Sequence, residues 1–209
     1  MFQMVASVVN SYRLCRRLTL LCALCGVTIA PTSVRAEPAE YEIDPEHLTV
    51  GFLVEHIGYA RVLGFFREGG GSYQFDEQTG TLSDVVIEVE TDSVFTNHDR
   101  RDGHLRSADF LDTRRFATMT FTAMSARRTG EKTFEVEGSL ELLGVFQPLT
   151  LSASWNKSAD YPIGDRQYVM GVSARGRLQR SAYGMTYAVE NGWVGDTVEI
   201  IIEFEARRR

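Results

Sequence analysis

The sequence predicts an all-β domain of antiparallel strands with one short helical insertion. Three observations predict it: side chains from Glu46 onward alternate apolar and polar, turn formers recur at short and regular spacing, and one polar stretch, 97–112, breaks the alternation. A period of two sends successive side chains to opposite faces of a strand, so each run has one covered face. Hairpin-length connections between such runs make either a sandwich or an up-and-down barrel, and periodicity does not choose between them.

Taken in order, Leu48, Val50, Phe52, Val54 and His56 share the first face, against Thr49, Gly51, Leu53 and Glu55. Val62 to Phe66 and Ser72 to Phe75 follow, and then Val85, Ile87 and Val89 alternate with Val86, Glu88 and Glu90. Runs at 119–123, 134–142, 149–155, 169–178 and 198–204 bring the count to eight or nine strands, bounded by Thr129-Gly130, Gly144, Pro148, Pro162 to Asp165, Tyr183-Gly184 and Gly195-Asp196. The stretch from Asn97 to Asp112 lacks β-branched residues, and Asn97 or Ser107 offers an N-cap, which predicts one or two short helices. Its large apolar residues, Leu105 and Phe110 with Leu111 and the following Phe116, suit a plug across one open end of the sheet. Gly69-Gly70-Gly71 has no Lys-Ser/Thr after it and reads as a flexible hairpin rather than a phosphate loop. Glu37 to Glu40 reads as loose.

The first 36 residues read as an export signal. Arg13, Arg16 and Arg17 precede an apolar run from Leu18 to Ala30, and Val34-Arg35-Ala36 fits a cleavage site, so the mature chain is expected to begin at Glu37 and to lie in the periplasm. The apolar core is too short to span a bilayer, which takes about 20 residues. All three cysteines (Cys15, Cys22 and Cys25) and four of the 22 basic residues fall in this leader, which leaves a thiol-free mature domain with a net charge of −10. Such an acidic surface predicts no nucleic-acid partner and no stable membrane insertion. The remaining 173 residues suit one domain whose core is large enough to contain a cavity.

Few residues suggest chemistry. His47, His56, His98 and His104 match no metal spacing, and no mature Cys or G-x-S-x-G elbow supplies a nucleophile, so neither a metal nor catalysis is expected. His56, on an apolar face, reads as a histidine bonded to a neighbour inside the barrel. The carboxylate pairs Asp99/Asp102 and Asp109/Asp112 read as solvated charges and caps. Large apolar side chains, among them Phe52, Phe66, Phe121, Leu140, Leu142 and Trp155, are interspersed with Gly51, Gly64, Gly138, Gly171 and Gly176, a pattern that favours a hollow interior over a filled one.

The mature chain resembles the YceI-like polyisoprenoid-binding proteins of the bacterial periplasm, from Tyr41 to Glu205. The motifs that carry the resemblance are Tyr41-Glu-Ile43-Asp44 with His47, Phe52-x-Val54-x-His56-x-Gly58 and Val62-x-Gly64-x-Phe66. The most specific is Arg101-Asp102-x-His104-Leu105-Arg106-Ser107-x-Asp109-Phe110-Leu111-Asp112; Val136-x-Gly138-x-Leu140-x-Leu142 and Arg180-Ser181-x-Tyr183-Gly184-Met185 complete the set. Ala182 departs from the pattern by standing where an acidic residue often precedes Tyr183. The resemblance implies an eight-stranded antiparallel lipocalin-like β-barrel holding a long apolar molecule, a polyisoprenoid, isoprenoid quinone or fatty-acid derivative, with no enzyme activity and no cofactor beyond such a bound lipid. The ligand-facing residues expected are Phe52, Val54, Val62, Phe66, Val85, Ile87, Phe121, Leu140, Leu142 and Trp155, with Leu105 and Phe110 from the insertion, Tyr183 nearby, and His56 or Arg180 as the polar contact. Rival readings are an accessory to a membrane b-type cytochrome or quinone pathway, a lipid-modifying enzyme built on His56, and a filled barrel serving as a scaffold. A homodimer is open, since an edge strand or the acidic surface serves either state.

Overall fold

Three turns set inside long strands explain how eleven strand segments make an eight-stranded barrel. The computed structural model describes residues 38–209, and the expected leader with its cysteines and cleavage site lies outside them. The segments are β1 (Ala39–Ile43), β2 (Thr49–His56), β3 (Ala60–Phe66), β4 (Gly69–Asp76), β5 (Thr81–Glu90) and β6 (Val94–Phe95). After helix α1 (Asp99–Leu105) come β7 (Thr118–Arg128), β8 (Thr133–Leu142), β9 (Val145–Asp160), β10 (Tyr168–Gln179) and β11 (Val194–Arg208).

Pro45 ends β1 because it has no N–H for the sheet, and Asp44 caps the 3₁₀ turn that follows by accepting from the Glu46 amide. Arg67-Glu68 and the 3₁₀ turn Thr91–Ser93 interrupt the next two strands. The pairings continue across each break: His56 opposes Ala60 and Val50 opposes Phe66, and on the far side of the turn Glu42 opposes Ser72 and Ala39 opposes Phe75. Segments β1–β2, β3–β4 and β5–β6 therefore act as three long bent strands, followed by a simple meander of β7 to β11. Closure comes from β11, which pairs with β2 through Val194–Glu203 and with β1 through Ala206–Arg208. The expected lipocalin-like barrel is the fold found.

Strand β1 differs from the expectation of a loose start, since Ala39 and Glu40 belong to it and Tyr41 and Ile43 are buried in the core. The three glycines Gly69 to Gly71 are strand rather than hairpin: a Cβ at Gly71, whose φ is +154°, would stand 2.1 Å from the Val86 carbonyl oxygen. Glycine is there because β4 and β5 approach too closely for a side chain. The 97–112 stretch forms one helix followed by turns, and its N-cap is His98, whose ring accepts from the Arg101 amide; Ser107 instead donates to the His104 carbonyl, and Asn97 takes a positive φ of 61°.

One barrel end is closed by polar groups. The Glu77 carboxylate accepts from Tyr41 at 2.6 Å, Ser158 at 2.7 Å and Tyr168 at 3.0 Å, while the Tyr41 and Tyr73 rings stack at 5.2 Å. Burial, reinforced by the Glu77 hydrogen bond, pushes the Tyr41 phenol well above its usual pKa.

Candidate functional site

The inward face of the barrel encloses a cavity of about 370 Å³, inside the range of small-ligand sites, at the end opposite Glu77. Alternation puts the wall residues there: β2 supplies Val50, Phe52 and Val54, β3 supplies Val62 and Phe66, and β5 supplies Ile87 and Val89. Met119 and Phe121 come from β7, Leu140 and Leu142 from β8, Leu149 and Leu151 from β9, Leu178 from β10, and Val198, Ile200 and Ile202 from β11.

A second, smaller chamber of about 80 Å³ lies further along the same strands. Several strands pass from one chamber to the other in steps of two. On β5 Val85 borders the small chamber, Ile87 both and Val89 the large one. On β9 Leu149 borders the large chamber, Leu151 both, and Ala153 with Trp155 the small one.

The insertion covers part of the mouth. Leu105, Phe110 and Leu111 line the large cavity, whereas Phe116 packs beside Gly144. Polar groups hold this cover in place. Asp102 is buried, accepting from the Thr96 amide at 2.8 Å and from the Thr96 hydroxyl, so it is a structural acceptor rather than a solvated charge. Arg101 returns two bonds of 2.7 Å to Thr96, and Arg106 donates to the Asp92 and Val94 carbonyls. The side chains at the opening come from the β2–β3 tip, from His104 and from the loop before β11, where the Ile57 amide bonds the Trp193 carbonyl and the His104 ring meets Tyr187 edge-on at 4.8 Å.

Among the described residues Arg180 is the most deeply buried charge, only 2% exposed. Its guanidinium donates to the carbonyls of Gly195, Met185, Tyr187 and Val194, each at 2.8 Å, and burial draws its pKa down from the ordinary value. It sews the 185–195 loop to the barrel, while Ser181 takes up Asp196 through its amide and hydroxyl. With Ala182 in the position of the expected acid, carbonyl oxygens satisfy most of this guanidinium.

Twelve of the expected ligand-facing residues meet at the large cavity: Phe52, Val54, His56, Val62, Phe66, Ile87, Leu105, Phe110, Phe121, Leu140, Leu142 and Arg180. Val85 and Trp155 border the small chamber instead, because they stand two or more strand steps nearer the Glu77 end. Tyr183 lines neither; it is buried in the 3₁₀ turn Arg180–Tyr183. His56 is not inside the barrel but exposed at the end of β2, on the rim. Sequence reasoning left out Val50, Val89 and Ile202, which the same period of two would have found. Tyr187 and Trp193 give no such signal, since they lie on a loop. Among the described residues no group of three or more His, Cys, Asp or Glu side chains is placed to hold a metal ion.

Comparison with known proteins agrees with this architecture. A family model described as a YceI-like domain matches residues 41–206. The chain belongs to the YceI-like family. Protein YceI of Salmonella arizonae is 36% identical over 187 residues, covering 87% of this chain and 95% of that protein. Among solved structures, Burkholderia cenocepacia BcnA matches the YceI-like barrel with a TM-score of 0.67 at 14% identity, over 78% of this chain and 98% of its own. Campylobacter jejuni YceI matches with a TM-score of 0.64 at 24% identity, over 74% and 90%. A polyisoprenoid binding domain from Saccharophagus degradans, implicated in plant cell wall breakdown, matches with a TM-score of 0.59 at 14% identity, over 81% and 98%. At these identities the likeness is one of fold.

Proposed function

We propose that this protein is an exported, periplasmic carrier that holds a long apolar molecule, of the polyisoprenoid, isoprenoid quinone or fatty-acid class, inside the barrel. The observation that carries the reading is the large cavity, whose walls from β2 through β11 are almost wholly aliphatic and aromatic. The polyisoprenoid binding domain of the same fold supports the ligand class, and the leader-like first 36 residues support export.

The physics needs no reacting group, so the reading is one of binding rather than catalysis. Water must open a cavity around an isoprenoid, and each methylene moved into the barrel returns about 0.8 kcal/mol. Ten such groups supply roughly 8 kcal/mol before the costs of association, and the longer chains of this class supply the surplus that about micromolar net affinity requires. Chain length and lumen shape, rather than hydrogen bonding, then set selectivity.

The test is organic extraction of the purified protein followed by mass spectrometry. A stoichiometric isoprenoid or long-chain lipid is the expected result. Extracts matching those of an unrelated periplasmic protein would refute the reading.

A further inference from the structure

Two chambers follow one another along the lumen, and three side chains border both. We propose that Phe121 and Leu151 form the floor of the ligand site and set the longest apolar chain the barrel holds, an inference that rests on the carrier reading above.

The first support is position. Ile87, Phe121 and Leu151 border both chambers, and the strands cross from the large chamber to the small one at this level. Ile87 and Phe121 are direct cross-strand partners on β5 and β7, and Leu151 comes from β9.

The second is how the two side chains are seated. A Cβ added at Gly138 would stand 2.4 Å from the Phe121 ring, and one at Gly176 would stand 2.7 Å from Cδ2 of Leu151. Each floor residue thus rests in the space left by a missing side chain on a neighbouring strand, which fixes its place at the boundary instead of leaving it to swing along the lumen.

The third is what lies below. The small chamber is bounded by the Phe75, Phe134 and Trp155 rings, with Phe75 edge-on to both others at 5.7 Å, an interlocked arrangement that fixes its walls. A chain entering from the mouth gains about four-fold in affinity for each methylene it buries and nothing for those it cannot. Affinity therefore rises with length until the terminus meets Phe121 and Leu151, and then levels. Truncating either residue joins the small chamber to the large one and moves the plateau to longer chains.

The experiment is displacement of bound cis-parinaric acid by farnesol, geranylgeraniol and solanesol, using the wild-type protein and the Phe121→Leu and Leu151→Ala variants, with thermal unfolding confirming that each variant is folded. The two substitutions lie on different strands, so a folding failure in one leaves the other as the test. In at least one folded variant, the affinity ratio of the longest ligand it accepts to farnesol is expected to rise by about four-fold or more over wild type, the equivalent of one further methylene buried. Folded variants that keep the wild-type ratios throughout would overturn the floor and leave the carrier reading standing. A wild-type protein that binds none of the three alcohols would overturn the carrier reading, and the floor with it.

Discussion

The ring of Phe52 lies flat over Gly64, its cross-strand partner, so closely that a Cβ on Gly64 would stand 2.2 Å from the ring's Cζ. A missing side chain on one strand is what makes room for a large one on the next, as Gly138 does for Phe121. Gly64→Ala forces the ring inward. The expected outcome is a loss of about 1–3 kcal/mol in urea unfolding through overpacking, together with weaker ligand binding. Gly64→Ala combined with Phe52→Leu should recover most of both, which a double-mutant cycle checks.

A charge on the wall separates lumen binding from surface adsorption. Phe52→Asp and Leu140→Asp each place a carboxylate where the ligand chain would lie, and an apolar chain cannot satisfy it. Folded protein that has lost most of its extractable lipid is expected. Retention of the full amount in both variants would remove these residues from the wall of the site.

Arg180 makes a different prediction, because its four bonds to carbonyls hold the mouth. Replacing it by Met forfeits four charge-assisted bonds to carbonyls, of which water can recover part. Stability is expected to fall by about 3 kcal/mol, the scale of one or two such bonds. Hydrogen exchange should quicken in 185–195 before it quickens in β8 or β9.

The Asp44 carboxylate gives the fold a pH signature at the seam between β1 and β11. Burial tends to raise its pKa, but hydrogen bonds from His47 at 2.9 Å, from the Glu46 amide and from Arg207 at 2.7 Å outweigh that and hold it below its usual value. The same bond raises the pKa of His47. A lowered carboxylate stabilises the fold above its unfolded pKa, near 3.9, and that contribution is lost as pH falls through the folded value. A raised imidazole stabilises below its unfolded pKa, near 6.5, and the contribution is lost as pH rises through the folded value. Urea midpoints should therefore decline on both sides of a window from about pH 4 to 6.5. His47→Gln is expected to flatten the alkaline limb, by a small amount because water screens the half-exposed ring, and to leave a decline below pH 4.

The strands β2 to β5 and β7 to β11 and most of the cavity wall were legible in the sequence, because burial on one face imposes a period of two that local composition displays, whereas the two-residue β6 shows no period. Phe52, Val54, Phe121, Leu140 and Leu142 converge because each is the inward residue of its strand. Strand β1 was not legible: Tyr41-Glu-Ile43 is too short to show a period, and its place is fixed by pairing with Arg207 and Arg208 at the far end of the chain. The small chamber was equally hidden. Val85 differs from Ile87 and Val89 only in its height along the barrel axis, which register decides and alternation does not. Nor could spacing show that Asp102 turns inward to Thr96 or that His56 ends on the rim, since both depend on where a strand stops.

The most direct test of an open lumen that takes an apolar chain is a crystal structure of the protein purified from the periplasm without organic solvent. The account predicts rod-shaped density running inward from Leu105 and Phe110, past Phe52 and Leu140, and ending at Phe121. A barrel whose wall side chains meet across the axis and fill that volume would contradict it.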